Sequence, residues 1–176
     1  MKTYAKLESG ALRVMGRVPN ISNPTEATVA AYAAAHGFKE LVAVEQPGRY
    51  YRKGYAETDA AITETWTAWE LDEAKKDALE GVQDRLDAVL DARQTIPCEG
   101  FTAGIVYDRN ALINAGGLAE GDVFIDAADG TLTLDTQSVT AITAALKEYR
   151  QSLYAQATQR RAAIAAAEEV DELPQD

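Results

Sequence analysis

Polar and apolar residues alternate through the start of the chain, where Tyr4 and Leu7 and then Ala11 to Met15 predict two short strands. Ser9-Gly10 lies between them, so the pattern closes as a small β-hairpin. The run Asn23-Pro24-Thr25-Glu26 predicts a helix start: Asn23 can cap, Pro24 suits the first helical position, and Glu26 places charge at the positive end. The helix spans Thr25 to His36, with Val29, Ala30, Tyr32, Ala33 and Ala34 on its apolar side and Gly37 at the C′ position. Alternation returns from Phe38 to Val44 and again from Ala60 to Leu71, where Ile62, Glu64, Trp66 and Ala68 oppose Thr63, Thr65 and Thr67.

From Asp72 to Arg93 the period changes. Leu79, Val82, Leu86, Val89 and Leu90 recur at three and four, which predicts an amphipathic helix. About two heptads fit a short coiled coil, and packing on its own domain explains them equally. Gln94 to Gly100, with Pro97 inside, reads as a linker or loop. Phe101 to Tyr107 reads as a strand and Asp108 to Asn114 as a capped short helix ending at Gly116-Gly117. Asp122 to Ile125, Asp129-Gly130 and Thr131 to Leu134 give the clearest hairpin signal. Asp135 or Thr136 caps a last helix carrying Val139, Ile142, Leu146, Tyr149, Leu153, Ala157 and Ile164, which reaches to about Glu168, roughly 45 Å. Its stripe weakens beyond Leu153, so the outer half is expected to project or to meet a partner helix. Glu168 to Pro174 reads as a solvated acidic tail.

These elements predict an α+β fold. A small N-terminal β-rich module with one helix occupies residues 1–70, a connecting amphipathic helix and linker 71–97, and a C-terminal hairpin plus long helix 98–176. With 176 residues and 47% hydrophobic content, the chain can bury a core.

Charge narrows the partners. The formal net charge is -11, from 28 acidic and 17 basic residues, which disfavours nucleic acid and anionic membrane surfaces. No stretch approaches the about 20 apolar residues of a membrane span, and Met1 to Gly10 holds no apolar signal core, so a cytosolic protein made without a signal is expected. Cys98 and His36 are the only residues of their types, which leaves no thiolate cluster and no Cys-His or Ser-His dyad unless the two meet. No catalytic, cofactor or metal site is predicted.

Local anomalies carry two readings each. Arg49-Tyr50-Tyr51-Arg52-Lys53-Gly54-Tyr55 is aromatic and basic in an acidic chain, either a recognition patch or a strand of cross-strand aromatic pairs with snorkelling cations. Trp66 and Trp69 read as packing residues before a stacking platform. Asp122, Asp126 and Asp129 invite calcium, yet the loop lacks the EF-hand pattern. Gly116-Gly117 lacks the lysine and further glycines of a phosphate loop. Carboxylate pairs such as Glu64 with Glu70, or Asp122 with Asp126, would be the acid and base of a hydrolase acting on a cell-envelope polymer, though among 28 acids chance pairs are expected.

From about Asp91 to Ala167 the chain resembles a domain of uncharacterised function found in tail proteins of tailed bacteriophages and prophages. The resemblance lies in the arginine-containing helix end, the glycine before Phe101-Thr102, the strand through Val106-Tyr107-Asp108, the hairpin Asp129-Gly130-Thr131-Leu132-Thr133-Leu134 and the long terminal helix. Where that family often carries a tryptophan on the first hairpin strand, this chain has Val123 and Phe124. Met1 to Trp69 is similar to the β-rich module that often precedes the domain, and the layout looks like that of tail-fibre assembly proteins. The resemblance implies a non-enzymatic protein that binds a fibre or baseplate protein, in the host cytoplasm during assembly or as a permanent subunit of the virion tail. A trimer is expected if a fibre imposes its symmetry. Tyr50, Tyr51, Arg52 and Tyr55, with Leu146, Tyr149 and Leu153 on the last helix, form the expected contact surface, because aromatic anchors and helix seams supply area and register.

Overall fold

The computed structural model describes residues 2–19 and 22–175. The fold is α+β, and the chain divides into two compact units between Glu70 and Leu71.

The first unit holds strands β1 (Tyr4–Glu8), β2 (Ala11–Val14), β3 (Lys39–Val42), β4 (Tyr51–Glu57) and β5 (Ala61–Ala68), with helix α1 (Glu26–Ala35) between β2 and β3. The strands form one sheet in the order β2-β1-β3-β5-β4, antiparallel except for the β3-β5 pair. The β1-β2 hairpin turns on Ser9 and Gly10, both at positive φ, as a two-residue turn matched to strand twist requires. The cap of α1 is Thr25 rather than Asn23: its hydroxyl accepts the Thr28 amide at 3.2 Å. Ala5, Ala33 and Ile62 are wholly buried.

The second unit holds α2 (Leu71–Asp91), β6 (Gln94–Cys98), β7 (Phe101–Tyr107), α3 (Ala111–Ala115), β8 (Val123–Ile125), β9 (Thr131–Thr133) and α4 (Thr136–Ala166). Asp135 caps α4, its carboxylate accepting the Ser138 amide at 2.7 Å. Asp108 does not cap α3 through its side chain; it accepts the Asn110 amide instead, forming an Asx turn one step earlier. Helix α2, expected as a connector, packs along α4. Lys75 bonds to the Ala165 carbonyl, Arg161 to Gln83, and Tyr149 to Gln94, an order that makes the helices antiparallel. Buried Ala74 and Ala78 on α2 and Ala157 on α4 keep the side chains between the axes small. The fading stripe beyond Leu153 therefore does not mark a projecting end; α2 covers it. Ile142 and Ile164, each 1% exposed, anchor the two ends of α4, and full burial of such a side chain contributes about 1.5–3 kcal/mol.

Two expected irregular segments are ordered. Gln94 to Cys98 pairs antiparallel with β7, and Pro97, which has no amide hydrogen, sits where the register shifts between Ile96 and Cys98. Gly104 makes the tight approach possible: at φ +75°, its missing Cβ would lie 2.5 Å from the Ile96 carbonyl oxygen. The acidic tail forms a 3-10 turn, Val170–Glu172, in which the Glu172 carboxylate accepts the amides of Glu168 and Glu169. Val170 and Leu173 are buried, so the tail is more than a solvated end.

Candidate protein-binding surfaces

The aromatic and basic stretch forms β4, an edge strand, and is largely committed to its own sheet. Tyr50 is 1% exposed and meets Trp69 edge-on at 5.8 Å, so it is packing rather than an available anchor. The register places Tyr51, Lys53 and Tyr55 beside Ala68, Trp66 and Glu64 of β5. Lys53 lies over the Trp66 ring and pairs with Glu64 at 2.8 Å, while Arg52 lies over Trp69. Tyr51 and Tyr55 are half-buried and Arg52 is exposed. Trp66 donates its indole hydrogen to the Val44 carbonyl at 3.0 Å, a packing role. The cross-strand reading of this stretch describes these contacts.

The α4 residues also turn inward. Leu146 is buried, and Tyr149 meets Tyr107 edge-on at 4.8 Å while donating its hydroxyl to Gln94 at 2.6 Å. Leu153 is half-buried. Their shared spacing with Ile142 belongs to one stripe, and the burial of Leu146 corrects the expectation that it presents itself to a partner, while Tyr149 is half-buried at the edge of a groove.

Polar candidates are likewise engaged. Glu64 is held below the ordinary carboxylate range, first by Lys53 and then by the Val44 amide. Asp126 accepts the amides of Ala128 and Gly130 at 2.9 and 2.7 Å, and Asp122 accepts that of Ala119 at 2.8 Å. Asp126 builds the β8-β9 turn, its Gly130 bond fixing the turn residue on which the register depends, while Asp122 braces the loop that precedes β8. Among the described residues, no group of three or more His, Cys, Asp and Glu side chains is placed to hold a metal ion. His36 stacks on Tyr32 and donates Nδ1 to its carbonyl. Burial, followed by Glu99, pushes the Cys98 thiol above its ordinary value, the opposite of an activated nucleophile. Cys98 lines an open groove of about 900 Å³ between the β6-β7 ribbon and the first half of α4. Among the described residues, no helix is long and apolar enough to cross a membrane.

Exposed apolar surface lies elsewhere. The β8-β9 hairpin packs one face through Phe124, which meets Phe101 edge-on at 5.6 Å. Val123 and Ile125, beside Thr133 and Thr131, occupy the other face and are 66% and 60% exposed. Ile113 on α3 is 75% exposed. The sequence does hold a signal for this: a two-stranded ribbon with apolar residues at three successive positions can turn only one face inward.

The charge is unevenly divided. Eight acidic and eight basic residues precede Leu71, whereas twenty acidic and nine basic follow from it, so the entire net charge belongs to the second unit. Compared with known proteins, the chain matches no family model, no curated protein and no solved structure.

Proposed function

We propose that this chain is a non-enzymatic tail-fibre-associated protein of a tailed bacteriophage or prophage, which binds a fibre or baseplate protein and supports its assembly or attachment. The phage setting rests on the sequence resemblance from Asp91 to Ala167. The observation that carries the binding role is the β8-β9 hairpin, whose β-branched outer face stands in water within a strongly acidic unit. Two neighbouring β-branched side chains on one ribbon face offer apolar area that a partner would remove from water. Val123 and Ile125 take the place of the buried Tyr50 and Leu146 among the contact residues. Glu64 pairs with Lys53, and Asp122 and Asp126 accept loop amides, which gives a structural role to three of the acids a hydrolase would draw on.

Co-expression with the fibre protein encoded beside it tests the reading. A complex of defined mass by light scattering is expected, and replacing Val123 and Ile125 together by lysine weakens it at least tenfold, since each buried side chain contributes about 1.5–3 kcal/mol. A chain that stays alone beside its neighbour overturns the proposal. A complex also present in purified virions identifies a retained subunit rather than a removable chaperone.

A further inference from the structure

Basic residues are scarce in the second unit, yet four of its nine meet on one surface. A cleft of about 450 Å³ opens between α2, α3 and α4, with Leu86, Leu90 and Tyr107 among its lining and Arg109, Arg150 and Arg161 around it. A neighbouring depression shares Arg150 and Tyr154 with the cleft and adds Lys147. Two apolar side chains stand at these hollows, Ile113 at 75% and Tyr154 at 42% exposure.

The four cations are not equivalent. Arg109 is neutralised internally: it donates to Asp87 at 3.0 Å and through Nε to Asp91, and its own proton is held more tightly as a result. Arg161 donates at 2.6 Å to Gln83, which carries no charge. Arg150 lies over the Tyr154 ring at 5.6 Å, a contact that uses none of its N–H donors in a hydrogen bond to a carboxylate. Among the described residues, Arg150, Arg161 and Lys147 have no carboxylate partner. A positive spot with apolar lips thus sits in a unit whose charge is otherwise strongly negative.

We infer that this cleft docks a short acidic segment of a partner protein, one that carries an apolar side chain among its carboxylates. Guanidinium groups present paired donors that match a carboxylate, and the apolar side chain settles between Ile113 and Tyr154, excluding water from the ion pairs around it. Charge complementarity selects this occupant over nucleic acid. A polyanion would extend beyond the three unpaired cations into the field of the surrounding acids, whereas a short peptide places a few charges only where the cations are. The inference rests on the protein-binding part of the preceding reading and not on the partner being a fibre.

Fluorescence anisotropy of the full chain against a labelled synthetic decapeptide tests it, the peptide having glutamates and aspartates around a central Leu-Trp pair. Saturable binding is expected, weakened roughly tenfold when the acids are replaced by their amides and by a similar factor in the Arg150→Glu, Arg161→Glu double variant, as two partly desolvated ion pairs would give. Ile113→Ser weakens binding without altering its salt dependence, and far-UV circular dichroism verifies that each variant is folded. Arg150→Gln, which keeps most of the side chain, replaces the double variant if that one misfolds. Equal binding of the acidic and amide peptides, no effect of removing the cations, or tighter binding of a single-stranded DNA oligonucleotide than of the peptide overturns the inference. The Val123 and Ile125 lysine variant is expected to retain full peptide affinity. A peptide that fails to bind while the fibre complex still forms therefore refutes this cleft alone.

Discussion

Replacing Gly104 by alanine isolates the contact on which the β6-β7 ribbon depends. At φ +75° any residue with a side chain pays about 1–2 kcal/mol for the left-handed conformation. The added Cβ also falls 2.5 Å from the Ile96 carbonyl oxygen and 3.1 Å from Thr95 Cγ2. The nearer obstacle is backbone, so the strands must separate, a change that costs about 1–3 kcal/mol in packed surroundings. The sum is about 2–5 kcal/mol. Gly100, in the turn of the same ribbon, is the internal control: its φ is +81°, but no atom lies within 4 Å of the added carbon, so only the conformational cost applies. Hydrogen exchange read by mass spectrometry on a peptide covering 94–107 reports local opening directly. At about 1.4 kcal/mol per tenfold, Gly104→Ala accelerates exchange roughly 30-fold or more, and Gly100→Ala roughly 5- to 30-fold. Equal acceleration in the two variants would show that the close approach of Ile96 costs nothing, and the reasoning would fail.

Two further outcomes follow from the same geometry. Leu146→Ala, at 3% exposure, lowers stability by about 2–5 kcal/mol in a urea titration, while the folded protein keeps its affinity for a partner; a loss of affinity at unchanged stability would restore Leu146 to the binding surface. Asp135 has its carboxyl held below the ordinary value, chiefly by the Ser138 amide, so its contribution to α4 is present above the unfolded value of about 3.9 and is lost as pH falls through the lower folded value. Amide exchange in the first turn of α4, corrected for intrinsic rates, should therefore speed up on acidification, and Asp135→Asn should remove that acid dependence.

Alternation and turn residues were enough to place most elements, because Ser9-Gly10 and Asp129-Gly130 fix where strands reverse and the change from a period of two to one near 3.6 announces α2. Pro97 misled: it forbids a ladder bond at one position, but a bulge opposite Gly104 accommodates it, and that approach is a property of two strands together. Thr25 took the cap from Asn23 because the helix begins one residue after it, a boundary that neither side chain announces. The site was harder to read. Leu146 and Tyr149 lie on an apolar stripe that looks the same whether α2 or another molecule covers it, so spacing gives no means of distinguishing core from interface. Tyr50 looked like a hot spot by type and turned out to be buried against Trp69. Val123 and Ile125 are conventional strand residues, and their exposure follows only from the ribbon having two strands.

The confinement of the whole net charge to the second unit bears on what the exposed hairpin can do in a crowded solution. Two copies approaching through Val123 and Ile125 bring like-charged bodies together, so self-association meets a repulsive barrier that an uncharged surface of the same shape would lack. That barrier depends on ionic strength: its range is about 10 Å at 0.1 M salt and about 3 Å at 1 M. Self-association through this apolar face is therefore expected to be weakest at low salt and to rise as salt is added, which light scattering across a salt series would read.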